Sequence, residues 1–310
     1  MITVFGSINV DLVSRVARLP RVGETLPGSD VVAVAGGKGA NQALAARRAG
    51  AAGRMIGAVG DDSFAAVALS GLDAAGVDLS GVARRARFAT GLAIISVTDS
   101  GENAIVLSPG ANRTVDRDLA AAARFAPGDL LLLQMEVSEA ESLAVAARAR
   151  LAGARVMLSL APFRPLPAEA FTDVDVVVVN AGEAADLAGH LGVVAPGATV
   201  GPSTIAAAIA DRLGLTVVVT LGGEGVVAAT PDGTVHRVPA LAVTPIDTTG
   251  AGDTFTGVLA AGLSAGLDLA AAMARAAAAG SLACLELGAQ AAMPSAAAID
   301  RALADGVAVP

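Results

Sequence analysis

Residues 130–160, LLLLQMEVSEAESLAVAARARLAGARVMLSL, decide the fold class. Leu130 to Gln134 is an apolar run closed by an amide, Glu139 to Leu151 is dense in helix formers, and Val156 to Leu160 is apolar again. The spacing predicts strand, helix, strand. A strand without polar alternation is buried on both faces, and a helical crossover makes its two flanking strands parallel. The same rhythm runs outward along the chain. Val4 to Phe5, Arg54 to Val59, Val174 to Val179, Thr216 to Thr220 and Val226 to Ala229 read as strands, whereas Asn41 to Ala49, Asp62 to Ala75 and Ser203 to Leu213 read as helices. The expected architecture is an α/β domain of three layers around a mostly parallel central sheet.

Two stretches break the rhythm. Asp11 to Gly36 and Thr90 to Ser108 carry strand-like runs at Val31 to Val34, Leu92 to Val97 and Ala104 to Leu107 with no long helix between them, and Asp99-Ser100-Gly101 reads as a turn. We expect one domain over 1–310 with a small β-sheet built from insertions at about 11–36 and 90–108. Such a sheet beside a large domain suits a lid, which excludes water from a site. The alanine-rich segment Leu269 to Ala279 reads as a helix and not as a linker.

Composition narrows the function. With 54% hydrophobic and 16% charged residues over 310, the chain can bury a large core. Its longest charge-free stretch, Leu187 to Ala210, is broken by Gly189, Gly192, Pro196, Gly197, Gly201 and Pro202, so it is no membrane span. Met1-Ile2-Thr3-Val4 has no basic region before its apolar residues, which argues against a secretory signal. A single cysteine, Cys284, and two histidines, His190 and His236, fit a cytoplasmic protein without zinc clusters. Net charge of −8 and the absence of Trp and Tyr disfavour nucleic acid, which leaves a small-molecule ligand.

Five segments carry candidate chemistry. Asp247-Thr248-Thr249-Gly250-Ala251-Gly252-Asp253-Thr254-Phe255 follows the strand-like Leu241 to Val243 and opens an apolar helix through Leu259. Backbone N–H groups at 250 to 252 would cradle an anion at the helix N-terminus, with the Asp253 carboxylate beside it. Phosphoryl transfer needs that pair, donors for the moving charge and a base for the attacking hydroxyl. An ordinary glycine turn explains the same residues. Gly36-Gly37-Lys38-Gly39-Ala40-Asn41-Gln42-Ala43 tempts a phosphate-loop reading, yet Val32 stands at the first glycine position and Gly39 replaces the Ser or Thr that would hold Mg²⁺. Lys38 and Asn41 can point at a polar ligand, or Lys38 can be solvated. Gly6-Ser7-Ile8-Asn9-Val10-Asp11 lies past the first strand, where open parallel sheets bind ligands, so Asn9 and Asp11 could grip a polyol. A capping role for Asp11 is the alternative.

Asn180-Ala181-Gly182-Glu183 sets an amide and a carboxylate three residues apart, suited to nucleotide phosphate and hydrated Mg²⁺ or simply to a helix start. Thr220-Leu221-Gly222-Gly223-Glu224-Gly225 closes another strand with glycines, as a phosphate contact or a hairpin turn. Gly262-Leu263-Ser264-Ala265-Gly266 fits the hydrolase elbow pattern, but both histidines precede Ser264, so a flexible bend in an alanine-rich helical region is the better reading.

In order, these pieces resemble the ribokinase-type (PfkB) carbohydrate kinases: GSINVD from Gly6, GGKGANQA from Gly36, GENAIVLSPGAN from Gly101 to Asn112, QMEV from Gln134, N-x-x-E from Asn180, TLGGEG from Thr220, DTTGAGDTF from Asp247 and GAQ from Gly288. The resemblance implies ATP-dependent phosphorylation of a sugar, D-ribose at O5, in an α/β domain whose β lid serves as a homodimer clasp. Asp253 would be the base, and Gly250, Ala251 and Gly252 the anion hole. Asn9, Asp11, Gly37, Lys38, Asn41 and Glu136 would contact the sugar. Asn180, Thr220, Leu221, Gly222, Gly223, Glu224, Gly225 and Gly252 would hold ATP, with Glu183 steering Mg²⁺. Asp247, Thr249, Ala283, Glu286 and Gly288 would hold K⁺, mostly through backbone oxygens.

The chain departs from that pattern in places. Ala292 replaces a serine of the K⁺ site, Ser159-Leu160-Ala161-Pro162 stands for Asn-Pro-Ala-Pro, and Ala181-Gly182 stands for Glu-Thr. A nucleoside kinase of the same family and an inactive sugar-binding regulator are the competing functions. Seven Phe and no Tyr or Trp offer little to stack on a nucleobase, which favours the free pentose.

Overall fold

Residues 130–160 fold as strand, helix and strand, at Leu130–Leu133, Glu139–Leu151 and Arg155–Ser159, in a computed structural model of the chain. The structure describes residues 1–98, 100–195 and 200–305; Asp99 of the expected turn and Pro196 and Gly197 lie outside them. In chain order the first elements are β1 (Ile2–Phe5), β2 (Asn9–Arg15), β3 (Val32–Gly36), α1 (Lys38–Arg48), β4 (Gly53–Gly60), α2 (Ser63–Ala74), β5 (Asp78–Arg85), β6 (Gly91–Val97) and β7 (Asn103–Ser108). There follow β8 (Leu130–Leu133), α3 (Glu139–Leu151), β9 (Arg155–Ser159), β10 (Val176–Asn180), α4 (Ala181–His190), α5 (Pro202–Leu213) and β11 (Thr216–Thr220). The chain closes with β12 (Val226–Ala229), β13 (Val235–Val238), α6 (Ala251–Ser264), α7 (Leu269–Ala283) and α8 (Ala296–Asp305).

The large sheet has nine strands in the order β13-β12-β11-β10-β9-β8-β1-β4-β5. Every pairing from β5 across to β11 is parallel, and the β11–β12 and β12–β13 pairings are antiparallel, so β12 alone is reversed. The leucine run of β8 accounts for the layering. Leu130 and Leu132 enter a core shared with α1, α2, α6, α7 and α8, whereas Leu131 and Leu133 enter a second core with α3, α4 and α5. Alternate residues of β10 divide in the same way, Val176 and Val178 to one side and Val177 and Val179 to the other. Both faces are covered, so no polar alternation survives in these strands.

The small sheet runs β3-β2-β6-β7, with β2 and β6 parallel and the outer strands antiparallel to them. Its strands come from 9–36 and 91–108, and β7 is exposed along its whole length. Two expectations need correction. Leu241 to Val243 is not a strand, because the chain has left the sheet after the edge strand β13; the Leu241 N–H donates instead to Ser281 Oγ at 3.1 Å. The segment past β1 is no mere loop, since Asn9 already opens β2. Ser264 is the last residue of α6.

Candidate active site

Helix α6 is capped at its start by Gly250, whose backbone is left-handed (φ 75°) and whose added β-carbon would lie 2.8 Å from that of Ala289. Only glycine meets both demands. The Ala251 N–H turns back onto the Thr248 carbonyl at 3.2 Å. First-turn amides of a helix have no partner within it, so those of Gly252 and Asp253 remain as donors.

The Asp253 carboxylate accepts 2.9 Å hydrogen bonds from both Asn41 Nδ2 and Gln42 Nε2 of α1. Behind them stand two more amides. Gln290 Nε2 donates to Asn41 Oδ1 at 3.1 Å, and Gln134 Nε2 donates to Gln42 Oε1 at 2.7 Å. A carboxylate only accepts, so it dictates the orientation of each amide in turn. Gln42, Gln134 and Gln290 lie inside quoted motifs but were assigned no task by sequence; Gln42 pairs with a carboxylate 211 residues away, and Gln134 and Gln290 pair with amides 92 and 249 residues away, which local spacing does not carry.

The other polar residues gather on the same side. Glu136 Oε2 accepts from Ser7 Oγ and from the Lys38 backbone N–H at 3.1 Å. A β-carbon on Gly37 would lie 2.7 Å from the Asn9 nitrogen. Burial, with Glu136 and Asp253 nearby and Lys38 opposing, pushes the Asp11 carboxyl up to about 6. Burial alone would lower the Lys38 ammonium, but Asp253, Glu136, Glu183 and Asp11 outweigh it and hold its pKa above the ordinary value. Four acids therefore surround one retained cation.

Two cavities meet at Thr220 and Gly252. The smaller, about 160 Å³, is lined by Lys38, Ser159, Asn180, Glu183, Gly250 and Asp253 among others, so Lys38 faces the side expected for phosphate and not only the sugar. Asn180 and Glu183 form a reciprocal helix cap, side chain to backbone in both directions, which is the capping alternative. Burial is the main force raising the Glu183 carboxyl, against the Asn180 N–H and Lys38. The larger cavity, about 290 Å³, is bounded by Gly222, Gly223, Leu241, Phe255, Ala277 and Cys284 and is mostly apolar. Beta-carbons on Gly222, Gly223 and Gly252 would meet nothing within 4 Å, so the backbone there is open to a ligand. The turn from Gly222 to Gly225 joins the antiparallel β11 and β12, which is the hairpin reading as well. Leu221 packs on the second core and Glu224 points to solvent, so neither lines a cavity.

The remaining expected residues lie on adjoining loops. Asp247 accepts N–H bonds from Thr249 at 2.9 Å and Gly288 at 2.8 Å, and these hold its carboxyl below the ordinary range despite burial that opposes them. Ala283 is buried at the end of α7, and Glu286 is exposed. Among the described residues, no three His, Cys, Asp or Glu cluster to hold a metal, and no helix is long and apolar enough to cross a membrane.

A phosphate-sized cavity at a helix start, an anchored carboxylate and an adjoining apolar slot define a group-transfer site for two small molecules. The chain belongs to the pfkB family of carbohydrate kinases, whose description it matches over residues 1–296. It is 35% identical over 296 residues to a ribokinase of Lactococcus lactis, covering 94% of this chain and 93% of that protein. Among solved structures it is similar to a ribokinase of Thermotoga maritima (TM-score 0.89, 28% identity, 98% and 99% of the two chains). It is also similar to an Arabidopsis thaliana ribokinase complexed with ribose and ATP (TM-score 0.86, 29% identity, 97% and 98%).

Proposed function

We propose that this protein transfers the terminal phosphoryl group of ATP to the O5 hydroxyl of D-ribose, giving ribose 5-phosphate and ADP. One observation carries the reading: Asp253 stands at the start of α6, fixed by Asn41 and Gln42, and lines the cavity that also holds Lys38, Asn180 and Glu183. The relatives that are ribokinases support ribose as the sugar and ATP as the donor.

Asp253 would take the proton of the sugar hydroxyl as its oxygen bonds to the terminal phosphorus and the bond to the bridging oxygen of ADP breaks. Gly252 and Asp253 amides and the Lys38 ammonium would stabilise charge on the moving group. Asn9, Asp11, Gly37, Asn41 and Glu136 would hold the sugar, since carboxylates and amides pair with vicinal hydroxyls. The apolar slot by Leu241, Ala277 and Cys284 suits the adenine ring.

The cap oxygens of Asn180 and Glu183 fit a hydrated Mg²⁺, which keeps most of its waters; bound to ATP it would neutralise phosphate charge. The loops of Asp247, Thr249, Ala283, Glu286 and Gly288 offer oxygen ligands only, fitting K⁺, which would add a positive charge beside the anion hole. The small sheet is read as a lid and as the contact between two copies, because it exposes Val32, Ile94, Ile105, Val106 and Leu107. ATP consumption measured with ribose, fructose, adenosine and inosine tests the assignment. We expect ribose to be preferred; preference for a nucleoside, or no turnover at all, would overturn it.

A further inference from the structure

Asn112 lies buried in the short helical turn Gly110–Thr114, and three hydrogen bonds fix its side chain. Its Oδ1 accepts the Ile8 backbone N–H at 3.0 Å, and its Nδ2 donates to the Ile8 carbonyl at 3.2 Å and to Asn9 Oδ1 at 2.7 Å. The Ile8 backbone settles which end of the Asn112 amide is which, because a peptide N–H only donates and a peptide carbonyl only accepts. That choice passes to Asn9. The Asn9 amide must turn its oxygen to Asn112, which leaves Nδ2 as its outward end. Gly91 packs against both side chains, so no β-carbon could stand there without displacing the pair.

We propose that Asn112 is a positioning residue for the sugar: by holding Asn9 Oδ1, it makes Asn9 a hydrogen-bond donor to substrate, selecting a ligand oxygen with a free lone pair at that point. The inference rests on the reading of Asn9 as a sugar contact. It assigns to the GAN run a task in specificity that reaches the sugar through a second residue. Acceptors at the sugar end are already plentiful, with Asp11, Glu136 and Asp253 close together. A donor at that point helps fix which way round a polyol sits, since a hydroxyl facing three carboxylates must donate and one facing Asn9 Nδ2 must accept.

The test is steady-state kinetics of Asn9→Asp, Asn9→Ala, Asn112→Ala and the Asn9→Ala, Asn112→Ala double variant, with melting curves to establish folding. Asn9→Asp keeps an oxygen for Asn112 and replaces the donor by a second, charged acceptor. We expect its ribose KM to rise tenfold or more, with the KM for ATP within about twofold. Asn112→Ala should raise ribose KM by a similar factor with kcat largely kept, and should add little to Asn9→Ala in the double variant, as expected of residues acting through one contact. An Asn9→Asp enzyme with unchanged ribose KM would overturn the proposal, as would a full additional loss from Asn112→Ala in the Asn9→Ala background. If Asn112→Ala fails to fold, the Asn9→Asp result decides alone. Failure of the ribose reading is separate, since wild-type protein would then not turn over ribose.

Discussion

Gly257 of α6 sits where a β-carbon would lie 2.5 Å from the carbonyl oxygen of Gln42 in α1. The same atom would stand 2.7 Å from the Ala45 β-carbon, so the two helices approach to backbone contact. This closeness brings the Asn41 and Gln42 amides within reach of Asp253, one turn earlier in α6. Gly257→Ala should cost about 1–3 kcal/mol, the usual penalty of overpacking. It should also lower kcat by moving the carboxylate, while the KM for ATP holds. Calorimetry with kinetics checks both; a variant of wild-type turnover would separate the helix contact from the site.

Removing the proposed base gives a second expectation. Asp253→Asn should retain ribose binding and lose about 10² to 10⁴ in turnover, the scale of general-base removal. It also sets an amide against two amide donors, so Asn41 or Gln42 must turn around. Isothermal titration with ribose and single-turnover assays distinguish the effects, and unchanged turnover would refute the role of Asp253.

Asp11 predicts a pH dependence of defined sign. Burial first, then Glu136 and Asp253, raise its carboxyl from 3.8 to about 6. The folded chain therefore holds this proton more tightly than the unfolded chain. Asp11 adds stability that is complete below about pH 4 and fades as pH rises through 6. Sugar affinity runs oppositely, because the ionised carboxylate accepts from two hydroxyls, so ribose KM should climb as pH falls below 6. In Asp11→Asn, the difference in melting temperature between pH 5 and pH 7 should shrink and the KM profile should flatten. A KM profile identical to wild type would remove Asp11 from the sugar site.

Replacing K⁺ by Na⁺ tests the loop that Asp247 ties to Gly288. Turnover should fall several-fold in Na⁺, and Ala292→Ser, which restores a hydroxyl beside the loop, should raise apparent K⁺ affinity. Equal rates in both salts would remove the monovalent site.

Ile105→Asp tests the association surface. The side chain is more than half exposed on an edge strand. The charge should shift the molecular mass in light scattering from two chains to one. A wild-type protein that is already monomeric would refute lid pairing.

The strands and helices with strong local patterns were legible from sequence: Glu139 to Leu151 and Thr216 to Thr220 match their elements residue for residue. Asp78–Arg85 and Val235–Val238 were not, because both lie at sheet edges with mixed polar and apolar residues. At the site, Asp253 and its glycine turn stand out because their chemistry is local. The amides around it do not, since Gln42 and Gln134 come together across 92 residues and Asn9 and Asn112 across 103. The direction of the Ala251 N–H is not local information either, since glycine-like smallness says nothing about its meeting the Thr248 carbonyl. Leu221 and Glu224 share a motif with cavity-lining glycines, but a hairpin turn sends its side chains outward or onto the core.

The position of β1 bears on how the chain is born. Strand Ile2–Phe5 is flanked by Gly53–Ile56 on one edge and by Leu130–Leu133 on the other. During synthesis β1 must wait, one side unzipped, until well over a hundred further residues have left the ribosome. Throughout that interval an unpaired strand border carrying Ile2, Val4 and Phe5 is offered to neighbouring nascent chains. Translation speed and holdase capacity should therefore govern the soluble yield of this protein more than its final thermodynamic stability.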